Sequence, residues 1–368
     1  MSIKHQEYRE FSNRIRSLRN RKPSACQIEL TYLCPLHCRH CYAGCYNKKT
    51  SAKKQLSTEQ VKEILRKCKK AGIVWLGFTG GDPLLRQDFA QIYSYALELG
   101  FITTIFSSLA TLNKETLEVL KKSPPFVVET TLNAADAIKY KEVTATNLFN
   151  RHLRNIKKLI KFNIGIKVKT QITKQNIHDT GKIKELIESM GLEFRPSTLL
   201  HAQLNHNTSP CVLRVAPKDS LIIMGKHGQF SEKTNHHLEA KINIKDKING
   251  PKDSRLFTCG AGNDSFWVDT EGKMIICGNL RTFTYDLLKR GNSVEKGFFR
   301  LSKKVHELRF KTNSKCRACY YRSNCQWCPA RAYLETGSFE KPNEYFCDLA
   351  YETLKSENPH FFQRRSLI

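Results

Sequence analysis

The chain has 368 residues, of which 40% are hydrophobic and 26% are charged. These fractions are typical of a soluble globular protein, and the length suits about two domains with a buried core that needs no disulfide scaffold. The sequence has no run of ~18 apolar residues, and its beginning lacks the apolar segment of a signal peptide. We therefore expect a cytoplasmic protein that does not span a membrane.

Charge and cysteine content are the two unusual features of the composition. The chain has 61 Lys and Arg against 34 Asp and Glu, a net charge of +27, which favours acidic partners. The basic residues are spread along the chain, so a Lys-rich background explains them as well as nucleic acid does, and we do not expect nucleic acid as a partner. The 14 cysteines without an export signal indicate metal ligands rather than disulfides.

The first predicted element is a strand over residues 25–31, followed by a loop that contains Cys34, Cys38 and Cys41. Pro35 favours the loop, which can turn three thiols toward one metal group. Three thiolates on a four-iron cluster leave one iron without a protein ligand, as substrate chemistry requires. A structural zinc site is the alternative. Its fourth ligand would be His37, His40 or Cys45.

The next two elements lead to a second motif. Ser57 and Gln60 have the spacing of a capping box, which predicts a helix from there to about Gly72. Residues 73–78 are a continuous apolar run, typical of a buried parallel strand. The run ends in Thr-Gly-Gly-Asp-Pro at residues 79–83, where paired glycines allow a ligand to approach the backbone.

Helices and strands then alternate as far as residue 197. The predicted helices are 88–99, 113–121, 147–161 and 179–190, and the predicted strands are 101–106, 126–132, 164–172 and 192–197. With the two earlier strands these make six β/α units, which predict a parallel sheet with right-handed crossovers. Six units are too few for a closed eight-fold barrel.

The last seven cysteines form a second pattern. Residues 265–276 alternate on both sides of a turn at Gly272, which predicts a β-hairpin between Cys259 and Cys277. The remaining five are Cys316, Cys319, Cys325, Cys328 and Cys347. Seven ligands do not divide into two complete zinc tetrads.

The triplet and the Gly-Gly-Asp-Pro turn together resemble the radical S-adenosylmethionine (radical SAM) superfamily, whose pattern is CxxxCxxC followed by GGEP. The resemblance covers residues 25–199. It implies a partial (β/α)6 barrel, a [4Fe-4S] cluster on Cys34, Cys38 and Cys41, and SAM bound to the open iron. The SAM contacts that it implies are Gly80, Gly81, Asp82, Ser107, Ser108 and Thr131.

Three positions near the implied SAM site, Tyr42, Asp82 and Leu109, carry individual expectations. Tyr42, just after the triplet, is a candidate to hydrogen-bond to or stack on the adenine. Asp82 replaces the family's usual Glu, and because its contact would run mainly through backbone carbonyls we expect this change to matter little. Leu109 replaces the glycine of the family's Thr-Asn-Gly turn.

The C-terminal pattern resembles the SPASM extension of radical SAM enzymes, with two residues rather than three before Cys328. The resemblance implies two auxiliary iron–sulfur clusters of the [4Fe-4S] type. The distal cluster would be held by Cys316, Cys319, Cys325 and Cys347, and the proximal one by Cys259, Cys277 and Cys328. An open iron, a water, a substrate group or Cys211 would complete the proximal cluster. Cys26 and Cys68 are expected as core thiols.

The expected fold is therefore α/β, a partial (β/α)6 barrel followed by a small cysteine-rich domain with a β-hairpin. The predicted segments are an N-terminal extension (1–24), the barrel (25–199), a bridge (200–258), the auxiliary-cluster domain (259–350) and a tail (351–368).

The resemblance implies an oxidoreductase that reductively cleaves SAM to a 5′-deoxyadenosyl radical and matures a ribosomally made peptide, for example by cross-linking it. The implied partners are a peptide or protein substrate, an electron donor of the flavodoxin or ferredoxin type, and a separate peptide-recognition protein. The alternatives are a sulfatase-type formylglycine maturase, a cofactor-biosynthetic oxidase and a non-catalytic iron–sulfur electron-transfer protein. The sequence singles out no catalytic acid or base.

Overall fold

The computed structural model describes residues 22–44, 55–226, 254–323 and 325–357. Cys45, most of segment 1–24, residues 227–253 of the predicted bridge and most of the tail lie outside the described residues. The predicted α/β class with a parallel sheet at its centre is confirmed.

One sheet runs through the described residues, with strand order β6-β5-β4-β3-β2-β1-β7-β8-β9. Its parallel part consists of β1 (Ala25–Thr31), β2 (Trp75–Gly80), β3 (Ile102–Phe106), β4 (Val127–Thr131), β5 (Ile166–Gln171) and β6 (Phe194–Ser197). Strand order follows chain order because each connection contains a helix that returns the chain to the same end of the sheet. The six predicted strands are confirmed, although β2 begins and ends two residues later than predicted.

The described α-helices are α1 (Thr58–Lys70), α2 (Phe89–Glu98), α3 (Lys114–Lys122), α4 (Ala137–Thr144), α5 (Phe149–Lys161), α6 (Thr180–Glu188), α7 (Pro217–Lys226), α8 (Val294–His306), α9 (Pro329–Thr336) and α10 (Glu344–Glu357). The capping box of α1 is present, because the Gln60 N–H donates to Ser57 Oγ at 3.2 Å and the Ser57 N–H donates to Gln60 Oε1 at 2.9 Å. None of the helices in the described ranges is long and apolar enough to cross a bilayer.

Helix α4 was not predicted. It has eight residues, about two turns, which is too short to give a clear hydrophobic period. Its pattern is also interrupted, because Tyr140 and Val143 are buried while Ile138 is 85% exposed. The helix begins at a local signal, the Asp136 side chain, which accepts a hydrogen bond from the Lys139 N–H at 2.8 Å.

The predicted β-hairpin is confirmed and has a further pairing. Strands β7 (Ser265–Val268) and β8 (Lys273–Ile275) are antiparallel, and the short β9 (Tyr285–Asp286) follows β8. Strand β7 also pairs in parallel with β1, from Ala25↔Ser265 to Ile28↔Val268. The cysteine-rich region therefore continues the sheet of the barrel region. The alternating sequence pattern of a hairpin predicts its two strands, but it does not predict that β7 pairs with β1.

The two faces of the parallel strands differ in chemistry. One face is apolar and lies in the hydrophobic core with the helices; its fully buried residues include Ile28, Phe78, Ile105, Val128 and Val168. Side chains alternate along a strand, and register partners point the same way. The other face, here called the polar face, therefore carries Glu29, Glu129, Lys167, Lys169 and Arg195.

Candidate functional site

The cysteine triplet follows β1 and is held against the end of β2 by close backbone contacts. The Gly81 N–H donates to Thr31 O at 2.6 Å, and the Asp82 N–H donates to Leu33 O at 2.8 Å. A Cβ on Gly80 would lie 2.1 Å from Thr31 O, and one on Gly81 would lie 2.3 Å from Leu33 O. The two glycines are therefore required because the chain approaches itself closely here, and not only because a ligand can approach the backbone.

The three thiols of the triplet lie close enough to influence one another. Burial raises the pKa of Cys34 to about 12 and raises that of Cys38 well above its usual value, and in each case the neighbouring Cys41 thiolate adds to the shift. Such crowded, buried thiols are costly to ionise without a metal, and thiolates are the ligands of iron–sulfur clusters. The donor set therefore fits a cluster. Within the described ranges, no three or more His, Cys, Asp or Glu side chains are arranged around the position of a single metal ion.

Asp82 is buried and joins the end of β2 to the turn after β3. Its Oδ1 accepts hydrogen bonds from the Leu84 N–H (3.1 Å) and the Ser107 hydroxyl (2.8 Å). Its Oδ2 accepts from the Ser108 N–H (3.1 Å) and hydroxyl (2.5 Å). Burial raises the pKa of Asp82, and these hydrogen bonds oppose the rise. The side chains of three implied SAM contacts thus bind each other, and Leu109 has a left-handed backbone (φ 52°), a conformation that glycine adopts more readily than leucine.

The two other implied SAM contacts lie at the same end of the sheet. Tyr42 follows the triplet, its ring centroid is 5.4 Å from that of His201, and its carbonyl accepts a hydrogen bond from the Leu204 N–H at 2.8 Å. Thr131 is the last residue of β4, and its register partner is Lys169. Carboxyl ends of parallel strands are where ligands of such sheets bind.

Two residues that the sequence did not indicate contact the triplet loop. Gln203, from the predicted bridge, is buried and donates from Nε2 to Cys41 O at 3.1 Å. Asn133, after β4, has its Nδ2 within 3.3 Å of His40 Nε2 and accepts the Gln171 N–H at 2.8 Å. Neither shows a periodic signal, because each is a single amide between apolar neighbours.

A cavity of about 320 Å³ lies between the triplet loop and the predicted bridge. Its lining residues are His37, Arg39, Gln203, Asn207, Ser209, Val212 and Leu213. The described part of the bridge therefore packs against the triplet loop.

The C-terminal cysteines line a second cavity, of about 280 Å³. Its cysteines are Cys259, Cys316, Cys319, Cys325, Cys328 and Cys347. Burial, together with the neighbouring thiolates of Cys347, Cys316 and Cys319, raises the pKa of Cys325 to about 11. Burial also raises the pKa of Cys277, to which the thiolates of Cys328 and Cys259 add. The structure thus brings the thiols of each set implied for an auxiliary cluster into mutual electrostatic contact.

Two arginines lie beside these cysteines. Arg322 lines the cavity, donates to Cys316 O at 3.0 Å and stacks over the Phe310 ring at 4.9 Å. Arg331, three residues after Cys328, has a buried Nε without a hydrogen-bond partner among the described residues. Both are cations next to groups of thiols, where they would offset the negative charge of metal-bound thiolates.

Cys211, considered as a fourth ligand of the proximal set, contacts a different group. Burial raises its pKa to about 11, and the Arg214 guanidinium opposes that rise while Glu335 adds to it. Arg214 and Glu335 form a buried ion pair. The structure therefore places Cys211 beside the Arg214–Glu335 pair.

A buried ion pair connects β1 to the cysteine-rich region. Arg281 Nη1 donates to Glu29 Oε2 at 2.9 Å, and Nη2 donates to Oε1 of the same carboxylate. Tyr32, between Glu29 and the triplet, donates to Glu29 Oε2 at 2.7 Å and accepts from Arg281 at 3.1 Å. Arg281 lies four residues after Cys277 and also donates to Gly278 O at 2.8 Å. The pair thus fixes the turn after Cys277 to the strand that precedes the triplet.

This chain is similar to a protein family, to curated proteins and to solved structures. Residues 28–190 match the model of the Radical SAM superfamily. The AdoMet-dependent heme synthase of Methanosarcina barkeri is 24% identical over 86% of this chain and 94% of its own length. The PqqA peptide cyclase of Streptomyces rochei is 26% identical, over 46% of each chain. The crystal structure of Streptococcus suis SuiB bound to precursor peptide SuiA covers 93% of this chain and 81% of its own, with 16% identity and a TM-score of 0.66.

Proposed function

We propose that this chain, a radical SAM protein by its residues 28–190, cleaves SAM reductively and uses the resulting radical to modify a ribosomally made peptide oxidatively. The observation that carries the proposal is the arrangement of the cysteines. The triplet and the C-terminal cysteines belong to regions that share one sheet and are joined by the Glu29–Arg281 pair.

The triplet loop is the proposed site of the SAM-binding cluster. Cys34, Cys38 and Cys41 would hold a [4Fe-4S] cluster whose remaining position takes SAM. When bound, the cluster and SAM supply a 5′-deoxyadenosyl radical that abstracts an unactivated hydrogen atom. The contribution of the protein is to position SAM and to exclude water from the radical.

The residues around Asp82 are proposed to orient SAM. The Asp82 carboxylate fixes the Ser107–Ser108 turn through three hydrogen bonds, so the backbone of both segments is held rigidly for a ligand. Gly80 and Gly81 keep the triplet within hydrogen-bond distance of β2. Tyr42 and Thr131 would border the same site from the triplet loop and β4.

The two C-terminal sets are proposed to hold the auxiliary clusters. Cys316, Cys319, Cys325 and Cys347 form the distal set, and Cys259, Cys277 and Cys328 form the proximal set. Iron–sulfur clusters held by these cysteines would supply electron acceptors, as a net oxidation of the substrate requires. Arg322 and Arg331 stabilise the negative charge of the thiolates.

A peptide is the substrate that the comparisons favour. The structure of SuiB with a precursor peptide covers most of this chain, and the PqqA peptide cyclase matches about half of it. We further propose a flavodoxin or ferredoxin as the electron donor and a separate protein for peptide recognition. A cytoplasmic location fits, because thiol ligands stay reduced there.

A second candidate is the oxidation of a cofactor precursor. It is favoured by the AdoMet-dependent heme synthase, which matches 86% of this chain and 94% of its own length. The abstracted hydrogen atom comes from a peptide in the first proposal and from a tetrapyrrole in the second. Identifying the molecule that loses the hydrogen atom therefore distinguishes the two functions.

The test measures the transfer of deuterium from a labelled substrate to 5′-deoxyadenosine. Cells that contain this protein would be grown in deuterated medium, and their peptide and tetrapyrrole fractions would be incubated anaerobically with reconstituted enzyme, SAM and dithionite. We expect deuterium in the 5′-deoxyadenosine formed with the peptide fraction and none with the tetrapyrrole fraction. The reverse result would establish the second candidate and reject the first. The Cys38→Ala variant, which lacks a triplet ligand, is the control for both fractions.

A further inference from the structure

The last two strands of the barrel region bring basic side chains together on the polar face. Thr131 of β4 pairs with Lys169 of β5, and Lys169 pairs with Arg195 of β6. These three residues form one row across the sheet, near the carboxyl ends of the strands. The row below it contains Glu129 and Lys167.

Glu129 and Glu193 lie near these basic side chains and neutralise part of their positive charge. Lys169 Nζ lies 2.5 Å from Glu129 Oε2. Burial lowers the pKa of Lys167; Glu129 and Glu193 oppose the shift, whereas Arg195 and Lys169 add to it. No ion pair in the described residues involves Arg195. The guanidinium of Arg195 is therefore a cation that the described carboxylates leave without an ion-pair partner.

A ligand can reach this pair of cations. The Lys169 side chain is 50% exposed, Arg195 is half-buried, and β6 is the outermost strand of the sheet on that side. Above them Gln171 Nε2 donates to Ser197 O at 2.8 Å and closes the end of the two strands. The two cations thus border an open part of the polar face, beside the implied SAM contact Thr131.

We propose that Lys169 and Arg195 bind a carboxylate group of the substrate, an inference that rests on the proposed function. Arg presents two parallel N–H donors that match a carboxylate, and Lys169 adds a second positive charge from the next strand. For a peptide this means an Asp or Glu side chain, or the C-terminus, next to the residue that is modified.

SAM also has a carboxylate, and one implied SAM contact, Thr131, is the register partner of Lys169; Arg195 is the cation that lies farther from the other implied SAM contacts. The amino group and carboxylate of SAM are attached to the same carbon atom, and the amino group is expected at Gly80–Asp82, at the end of β2. Arg195 is on β6, four strands away, which is ~19 Å along the sheet at ~4.8 Å per strand. This separation along the sheet favours a substrate carboxylate at Arg195, and the SAM affinity of an Arg195 variant distinguishes the two carboxylates.

The test compares two neutral-ended pentapeptides, acetyl-Ala-Ala-Glu-Ala-Ala-amide and its Gln counterpart, on the SAM-loaded, iron–sulfur-reconstituted protein at 150 mM salt. Saturation-transfer NMR would give both affinities. We expect wild type to bind the Glu peptide about tenfold more tightly, the usual effect of a hydrogen bond to a charged group. Arg195→Gln should abolish this preference, and Arg195→Lys should retain part of it. Lys157→Gln, on the exposed side of α5, should retain all of it.

Equal or undetectable binding of the two peptides by wild type would overturn the proposal, and so would an undiminished preference in Arg195→Gln. Equilibrium dialysis of SAM provides a second arm. A tenfold loss of SAM affinity in Arg195→Gln would show that the carboxylate is that of SAM, and would also overturn it. Formation of 5′-deoxyadenosine by wild type is measured separately, so failure of the proposed function is distinguishable from failure of this subsite.

Discussion

At the scale of single residues, Asp82 shows how a side chain can hold a site together without facing its ligand. Its two oxygens accept hydrogen bonds from two backbone N–H groups and two hydroxyls. A backbone N–H can only donate. Whichever way an amide at this position is turned, its NH₂ group faces the N–H of Leu84 or of Ser108.

We therefore expect Asp82→Asn to lower the free energy of unfolding by about 1–3 kcal/mol, the cost of a buried donor left without an acceptor. Chemical denaturation of the purified protein would measure this. Asp136→Asn is the matched control, because Asp136 is an exposed helix cap and Asn caps helices equally well. Equal effects of the two changes would contradict this role of Asp82.

The glycines before Asp82 give a second prediction. A Cβ at Gly81 would lie 2.3 Å from Leu33 O, so Gly81→Ala must displace the triplet loop. We expect this variant to lose iron at the triplet, seen as lower iron content after anaerobic reconstitution.

Gly181, on α6, is the control for this change because nothing lies within 4 Å of a Cβ added there. Gly181→Ala should keep full iron content and stabilise the protein by roughly 0.5–1 kcal/mol. Full iron content in Gly81→Ala would show that the loop does not depend on this contact.

The sequence contained a clear signal for some of these residues and none for others. The triplet, the two glycines and Asp82 belong to one motif, so their positions could be predicted. The use of the Asp82 side chain could not be, because its partners are 25 and 26 residues away. Gln203 and Asn133 contact the triplet loop only because the folded chain brings distant segments together, and no residue spacing in the sequence predicts these contacts.

At the scale of secondary-structure elements, the sequence predicted the positions of the strands well. It did not predict helix α4 or the pairing of β7 with β1. Apolar runs identified the parallel strands to within about two residues. The eight-residue α4 was missed because two turns with an exposed Ile138 give no period. The pairing of β7 with β1 depends on the edge that β1 leaves open, which is a property of the assembled sheet.

The Glu29–Arg281 pair joins β1 to the cysteine-rich region, and its loss should lower the stability of the protein. Arg281→Met leaves Glu29, which is 3% exposed, as a buried charge without its partner. We expect a loss of about 3–5 kcal/mol in stability, measured by thermal unfolding. The double variant Glu29→Gln, Arg281→Met should recover part of the loss, since the unpaired carboxylate of Glu29 is then removed as well.

Lys303→Met serves as the control for this prediction. Lys303 and Glu307 are 3.9 Å apart with side chains 63% and 62% exposed, so its removal should cost at most about 0.5 kcal/mol. A similarly small effect of Arg281→Met would mean that the buried pair does not join the two regions.

At the scale of the whole molecule, the cysteines divide into the triplet, the proximal set, the distal set and thiols outside these sets. We expect about 12 iron ions per fully reconstituted chain, four for each cluster. Cys319→Ser should remove about four of them, and Cys68→Ser, which changes a buried core thiol, should remove none. Iron and sulfide analysis measures both. An unchanged iron content in Cys319→Ser would reject the distal set.

The central claim, that the triplet generates a radical from SAM, is tested most directly by one product. The reconstituted protein would be incubated anaerobically with SAM and dithionite, and 5′-deoxyadenosine would be followed by chromatography. We predict product from wild type and from Cys68→Ala, and none from Cys38→Ala. Product from Cys38→Ala at the wild-type rate, or none from a wild type loaded with iron and sulfide, would contradict the claim.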